Sequence, residues 1–197
     1  MPMSAGPKLA HIVLQTNRLQ DMRDWYSTLL SARVVYENPA VCFLTFDEEH
    51  HRVAFVSPPG PRLAERSPLT VGLQHSAYTF DTLQELLERY EALKAEGLEP
   101  FVPIQHGVTT SLYYRDPDGN LAELQVDTFA TPEAATNYMK TAHEYAEDTI
   151  GPSFDPQLML DELRAGRSEA ELMTRAWALS QPQLPHPVWA FAGEAQN

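Results

Sequence analysis

Apolar residues recur at helical spacing in two stretches: Leu19, Met22, Tyr26 and Leu29, then Leu83, Leu86, Leu87, Tyr90 and Leu93. Each stretch predicts an amphipathic helix. Shorter apolar and β-branched runs surround them and predict strands, at 8–15, 33–36, 41–46 and 52–57 about the first helix. A second set at 72–80, 99–103, 109–115 and 121–127 surrounds the second helix. The order strand, helix, strand, strand, strand therefore occurs twice.

The two copies align residue by residue. Placing His11 over His75, an offset of 64, also places Asn17 over Asp81, Leu19-Gln20 over Leu83-Gln84, and Tyr26 over Tyr90. Asn17 with Gln20 and Asp81 with Gln84 fit the N-cap and N3 positions of a capping-box-like helix start. Gly97 is placed to end the second helix. Before the last strand the turn reads Asp47-Glu48-Glu49-His50 in one copy and Asp116-Pro117-Asp118-Gly119 in the other. Aligning these turns puts Ala54 opposite Glu123 at an offset of 69. The second copy thus carries about five extra residues between helix and final hairpin, where His106 lies.

The expectation is an α+β fold of paired βαβββ modules, 8–60 and 72–127, forming a curved mixed sheet around a cleft with the helices outside. The strand bearing His11 is apolar on both faces, with Leu9 and Val13 on one and Ala10, Ile12 and Leu14 on the other. That suits a strand covered by a helix on one side and lining a closed pocket on the other. Residues 1–7 read as a flexible N-terminus. Residues 128–197 read as a helical extension, with helices near 132–147, 156–165 and 168–179 and a Pro-rich tail. It packs on the core, on a partner subunit as in a homo-dimer, or over the cleft as a lid.

Composition narrows the function class. A formal charge of −13 with only 14 Lys plus Arg counts against nucleic-acid and anionic-membrane binding. The single cysteine, Cys42, leaves no intramolecular disulfide, and between Val41 and Phe43 it reads as a buried strand residue. The opening MPMSAGPK has no apolar run, so no signal peptide is expected, and no stretch nears the roughly 20 apolar residues of a membrane span. A cytoplasmic protein is the expectation.

Three ligand-type side chains occupy matched strand positions: His11, His75 and Glu123. Singly, each histidine has an ordinary explanation as a hydrogen-bonded core residue. Glu123, between Ala122 and Leu124, is harder to explain, because a buried carboxylate is costly unless paired or metal-bound. Equivalent positions in paired modules converge on one place. Two imidazoles and one carboxylate leave about three of six octahedral positions open, the ligand set of mononuclear Fe(II) oxygenases, and Mn(II) accepts the same ligands. Ala54, the fourth equivalent position, has no ligand atom. A Lewis-acid centre with four protein ligands would want Glu or His there.

Longer motifs carry a resemblance. Ile104-Gln105-His106, then Leu112-Tyr113, then Asp116-Pro117-Asp118-Gly119, then Glu123 are separated by five, two and three residues. His50-His51-Arg52-Val53-Ala54-Phe55 forms a paired-His segment, and FDPQLMLDELRAG lies in the C-terminal extension. In these motifs the chain resembles the vicinal oxygen chelate (glyoxalase/bleomycin resistance/dioxygenase) superfamily and, within it, the one-domain type I extradiol ring-cleaving dioxygenases. The resemblance covers about residues 8–127, and the extension is similar to a subgroup often labelled biphenyl-diol dioxygenases.

The resemblance implies Fe(II) held by His11, His75 and Glu123. It implies that His51 acts as acid–base residue and that His106 and Tyr113 hydrogen-bond the reacting oxygens. The substrates implied are O2 and a catecholic compound, 2,3-dihydroxybiphenyl or a related diol. An imidazole with an ordinary pKa near ~6.5 suits transfer of a catechol proton. Ideal strand alternation sets His51 and Ala54 on opposite faces, so either a bulge or turn re-aims His51 or His50 is the inward residue. Tyr113 and Tyr114 are both good strand formers, and either can serve packing alone. His143 and His186 lie outside the repeat and read as surface or packing residues. Two rival readings use the same fold: a non-enzymatic protein that sequesters an aromatic or chelating compound, and a glyoxalase-type isomerase, the latter disfavoured by Ala54.

Overall fold

Each half of the repeat builds a four-stranded mixed sheet with one helix against it. The computed structural model describes residues 6–67 and 70–184. Most of the expected flexible stretch 1–7, the end of the Pro-rich tail and His186 lie outside the described residues.

The first half runs β1 (Ile12–Gln15), α1 (Leu19–Leu30), β2 (Arg33–Asn38), β3 (Val41–Thr45) and β4 (Val53–Val56). The second runs β5 (His75–Phe80), α2 (Leu83–Ala95), β6 (Val102–Gln105), β7 (Thr109–Arg115) and β8 (Leu121–Asp127). Strand orders are β1-β4-β3-β2 and β5-β8-β7-β6, the same permutation in both sheets. In each, the first strand pairs parallel with the last, Val13 opposite Ala54 and Ala77 opposite Glu123. Those rungs reproduce both sequence offsets, 64 on the first strand and 69 on the last. The α+β class read from the sequence is the one observed.

By contacts the chain divides into two units. The first holds residues up to Arg66 together with the β7–β8 turn Asp116–Gly119, and the second holds the rest. In the first, Met22, Tyr26 and Leu29 of α1 pack with Leu44, Val53 and Phe55, all fully buried. Burying a side chain of this kind contributes about 1.5–3 kcal/mol. The turn is tied into that unit, because Tyr26 donates to Asp116 Oδ2 at 3.2 Å and Arg18 donates to Asp118 Oδ1 at 2.6 Å.

In the second unit, Leu83, Leu86, Leu87, Tyr90 and Leu93 of α2 are buried beside β5 and β8, and α5 packs on α2. The extension supplies α3 (Pro132–Thr141), α4 (His143–Glu147), α5 (Pro156–Arg164), α6 (Glu169–Leu172) and α7 (Arg175–Leu179). No helix among the described residues is long and apolar enough to cross a membrane.

Local details depart from the sequence reading. Asn17 does not cap α1; Arg18 is the N-cap, without a side-chain cap bond. The Asn17 amide instead exchanges two hydrogen bonds with the Leu63 backbone, at 2.9 and 3.0 Å. The α2 cap is one residue later than Asp81: Thr82 and Glu85 form a full capping box, which satisfies two backbone donors at once. Gly97 ends α2 as expected, at φ +81°, with its N–H on Lys94 and the Leu98 N–H on Leu93. Strand β1 is shorter than 8–15, and Leu9 and Val13 are exposed rather than enclosed. Strand β6 lies at 102–105 rather than 99–103, because Ile104 bridges Ser153 and the Gln105 N–H donates to Pro152.

Candidate active site

His11 sits one residue ahead of β1. Its position follows from Arg52, which donates from Nη1 to the Leu9 and Ala10 carbonyls at 2.8 and 3.0 Å and from Nε to Asp47 at 2.8 Å. The Ile12 N–H returns a bond to the Arg52 carbonyl at 3.0 Å. The His51 ring lies 4.2 Å from the His11 ring and stacks on Phe43 at 4.8 Å and 17°. His50 is more distant from His11, at 6.3 Å, and exposed.

Strand β4 begins only at Val53, so His51 precedes it and strict alternation with Ala54 does not govern its direction. It is His51 that stands beside His11. Burial, then the charges of His11 and His50, hold the His51 imidazole below its ordinary range.

The second unit gathers a larger group. Glu123, on β8, is 4% exposed, and its Oε2 lies 2.9 Å from His75 Nε2. The other His75 nitrogen, Nδ1, is hydrogen-bonded to Gln74 Oε1. Both His75 nitrogens thus face an acceptor, Gln74 Oε1 at Nδ1 and the Glu123 carboxylate at Nε2, and a metal ion bound at Nε2 would take the place of the proton donated there to Glu123. Directly across the ladder from Glu123 stands Tyr113 on β7. Its hydroxyl is hydrogen-bonded to the Glu123 carboxylate and lies 2.9 Å from His106 Nε2. Ser111, two residues back on the same face of β7, also donates to Glu123.

Burial pushes the Glu123 carboxyl up, but the bonds from His75 and Ser111 and the nearby imidazoles outweigh it, and the net shift is downward. Burial, then the Glu123 charge, drive the Tyr113 hydroxyl far above its ordinary value, so it remains a proton donor. Burial is also the main reason that His106 is held below the ordinary imidazole range.

Of the six residues singled out in the sequence, the second unit brings together His75, Glu123, Tyr113 and His106, and the first brings together His11 and His51. Among the described residues, no three His, Cys, Asp or Glu side chains stand close enough together to hold a metal ion. The donor pair His75 and Glu123 nevertheless fits one. Two donors bound side by side on an octahedral ion at about 2.1 Å lie about 3.0 Å apart, close to the observed 2.9 Å. Sequence reasoning missed Ser111, although its spacing of two from Tyr113 puts it on the same strand face. It also missed Phe43, which pairs with Ala54 as Tyr113 pairs with Glu123.

Fold and site together define a duplicated βαβββ protein with imidazole and carboxylate donors on matched strands. The chain belongs to the Glyoxalase/Bleomycin resistance protein/Dioxygenase superfamily, whose family model matches residues 8–124. It is similar to "Biphenyl-2,3-diol 1,2-dioxygenase 3" of Rhodococcus globerulus, with 60% identity over 92% of this chain and 95% of that protein. It is 57% identical to "Biphenyl-2,3-diol 1,2-dioxygenase 2" of the same organism, over 96% of this chain and 99% of that one. Among solved structures, the glyoxylase/bleomycin resistance protein/dioxygenase domain from Frankia sp. EAN1pec shares the fold at 15% identity. It covers 64% of this chain and 96% of its own, with a TM-score of 0.53.

Proposed function

We propose that this protein is an extradiol dioxygenase that opens the ring of a catecholic compound with O2, as part of aromatic-compound breakdown in the cytoplasm. The observation that carries the reading is its relationship to the two Rhodococcus enzymes across more than nine tenths of the chain. A 2,3-dihydroxybiphenyl-like diol is the substrate class. The reaction consumes one diol and one O2: a ring C–C bond and the O–O bond break, and both oxygen atoms enter the product. No outside reductant is needed.

His11, His75 and Glu123 would hold Fe(II). Bound there, the ion would supply open coordination positions for a chelating diol and for O2, and a path for electrons between them. The chain's own residues handle position and protons. Gln74 holds the His75 ring at Nδ1, and Ser111 and Tyr113 orient the Glu123 carboxylate. His51, neutral because its pKa is depressed, is the base that accepts a proton from the diol.

The Tyr113 proton stands between two acceptors, Glu123 and the neutral His106. A diol oxygen arriving at that point can accept a hydrogen bond from Tyr113, whose proton stays on the hydroxyl, while His106 Nε2, as an acceptor, holds that hydroxyl in place. Anaerobic purification, loading with Fe(II) and O2-uptake measurements on a panel of catechols test the proposal. Uptake tied to formation of a coloured ring-opened product is expected. Stoichiometric binding of a catechol without uptake would replace it with the sequestration reading.

A further inference from the structure

The C-terminal extension reaches the site through one buried arginine. Arg175, the first residue of α7, is 5% exposed and points its guanidinium at backbone carbonyls. Nε and Nη2 donate to the His106 carbonyl at 3.2 and 2.8 Å, and Nη1 donates to the Glu144 and Asp148 carbonyls at 2.8 and 2.7 Å. A planar fork with several fixed donors is suited to this, and a lysine ammonium is not. The helix that presents Arg175 is anchored by Trp177, which is nearly buried, faces Phe154 and donates to Glu162 at 2.7 Å.

The same extension grips the His106 segment at further points. The His106 ring hydrogen-bonds the Ile150 backbone, and Ser153 extends the edge of β6 opposite Ile104. The two glycines at the junction leave no room for slack. A Cβ on Gly107 would lie 2.3 Å from the Tyr138 hydroxyl, and one on Gly151 would lie 2.2 Å from the Gln105 carbonyl. Both glycines have positive φ, +88° and +94°, so a side chain at either would be strained as well as crowded. His106 is therefore held by its ring, by its own carbonyl and by its neighbours, all from residues 138–175.

We infer that Arg175 is a positioning residue for the ring-opening reaction, setting the direction of the His106 imidazole toward Tyr113, and that the extension is a working part of the site. The inference rests on the proposed role of His106. Arg175 is too deeply occupied with carbonyls to touch substrate, so its effect must pass through His106.

The test is a double-mutant cycle on the full-length, iron-loaded protein with 2,3-dihydroxybiphenyl, at a temperature well below the melting point of every variant. Arg175→Lys keeps the charge but loses the fork. It should lower kcat about tenfold or more, with KM and iron content little changed. In a His106→Ala background the same substitution should change kcat by less than about twofold, because its route of action is already gone. Arg175→Gln is a second variant with the same expectation, should the lysine variant fail to fold. Equal losses in both backgrounds, or no loss in either, would overturn the inference. An inactive wild-type protein would instead strike the dioxygenase reading and leave a distinct signature.

Discussion

Tyr113 and Tyr114 are neighbours on β7 that leave opposite faces of the sheet, one toward Glu123 and His106 and the other into the side of α2. Both are buried, 3% and 1% exposed, so burial does not separate them. Their hydroxyls do. Tyr113 is hydrogen-bonded to Glu123 and His106, whereas among the described residues the Tyr114 hydroxyl has no hydrogen-bond partner. Tyr113→Phe is expected to reduce kcat by about a hundredfold, the usual cost of removing a placed donor. Tyr114→Phe should leave kcat within about twofold and leave stability equal or higher, because a buried unpaired hydroxyl is a cost. Steady-state kinetics and thermal melting of the two variants check this.

Glu123 and His75 are expected to fail together. Glu123→Ala removes a proposed ligand and the acceptor that Ser111 and Tyr113 share, so bound iron should fall more than about a hundredfold in affinity. Activity should vanish with it. Iron content by elemental analysis, alongside O2 uptake, is the measurement. Iron retained at full stoichiometry in this variant would contradict the ligand assignment.

The metal-free protein should lose stability as pH falls. The Glu123 pKa is lowered on folding, so its contribution is complete above the unfolded value of about 4.3 and is lost as pH falls through the folded value. His106 and His51 are also lowered, which means that the unfolded chain takes up their protons first. Their share is therefore lost as pH falls below about 6.5 toward the folded values. Melting temperature in the presence of a chelator should drop from about pH 7.5 to about pH 5. His106→Asn should flatten the upper part of that drop.

Helix α2 depends on its capping box. Thr82→Ala removes the bond that its hydroxyl oxygen accepts from the Glu85 N–H at 3.2 Å and should cost about 1 kcal/mol, read by denaturant unfolding. Asp81→Ala, one residue earlier, should cost much less. Asn17→Ala should be felt through the segment at Leu63 and not through α1.

These contrasts show which parts of the molecule are legible in the chain alone. The duplicated order of elements is, because apolar spacing and the two offsets are properties of neighbouring residues that survive in any context. Glu123 is legible for the same reason, as a carboxylate between apolar neighbours on a strand. The caps are legible only to within a residue, since Asn17 spends its amide on Leu63, 46 residues away.

His51 stands where it does because β4 starts two residues later, a boundary that alternation alone does not mark. Arg175 is invisible in the sequence. A basic residue opening a five-residue helix reads as surface, and its partner, the His106 carbonyl, lies 69 residues away. Long-range hydrogen bonds to backbone leave no periodic trace.

The most direct test of the central claim is the identity of the product formed from 2,3-dihydroxybiphenyl under ¹⁸O2 by the iron-loaded protein, read by mass spectrometry. Cleavage beside the two hydroxyls predicts substrate plus both labelled oxygen atoms, appearing as one carboxylate and one carbonyl group. Recovery of unchanged diol would contradict the account, and so would a product with two carboxylates from cleavage between the hydroxyls.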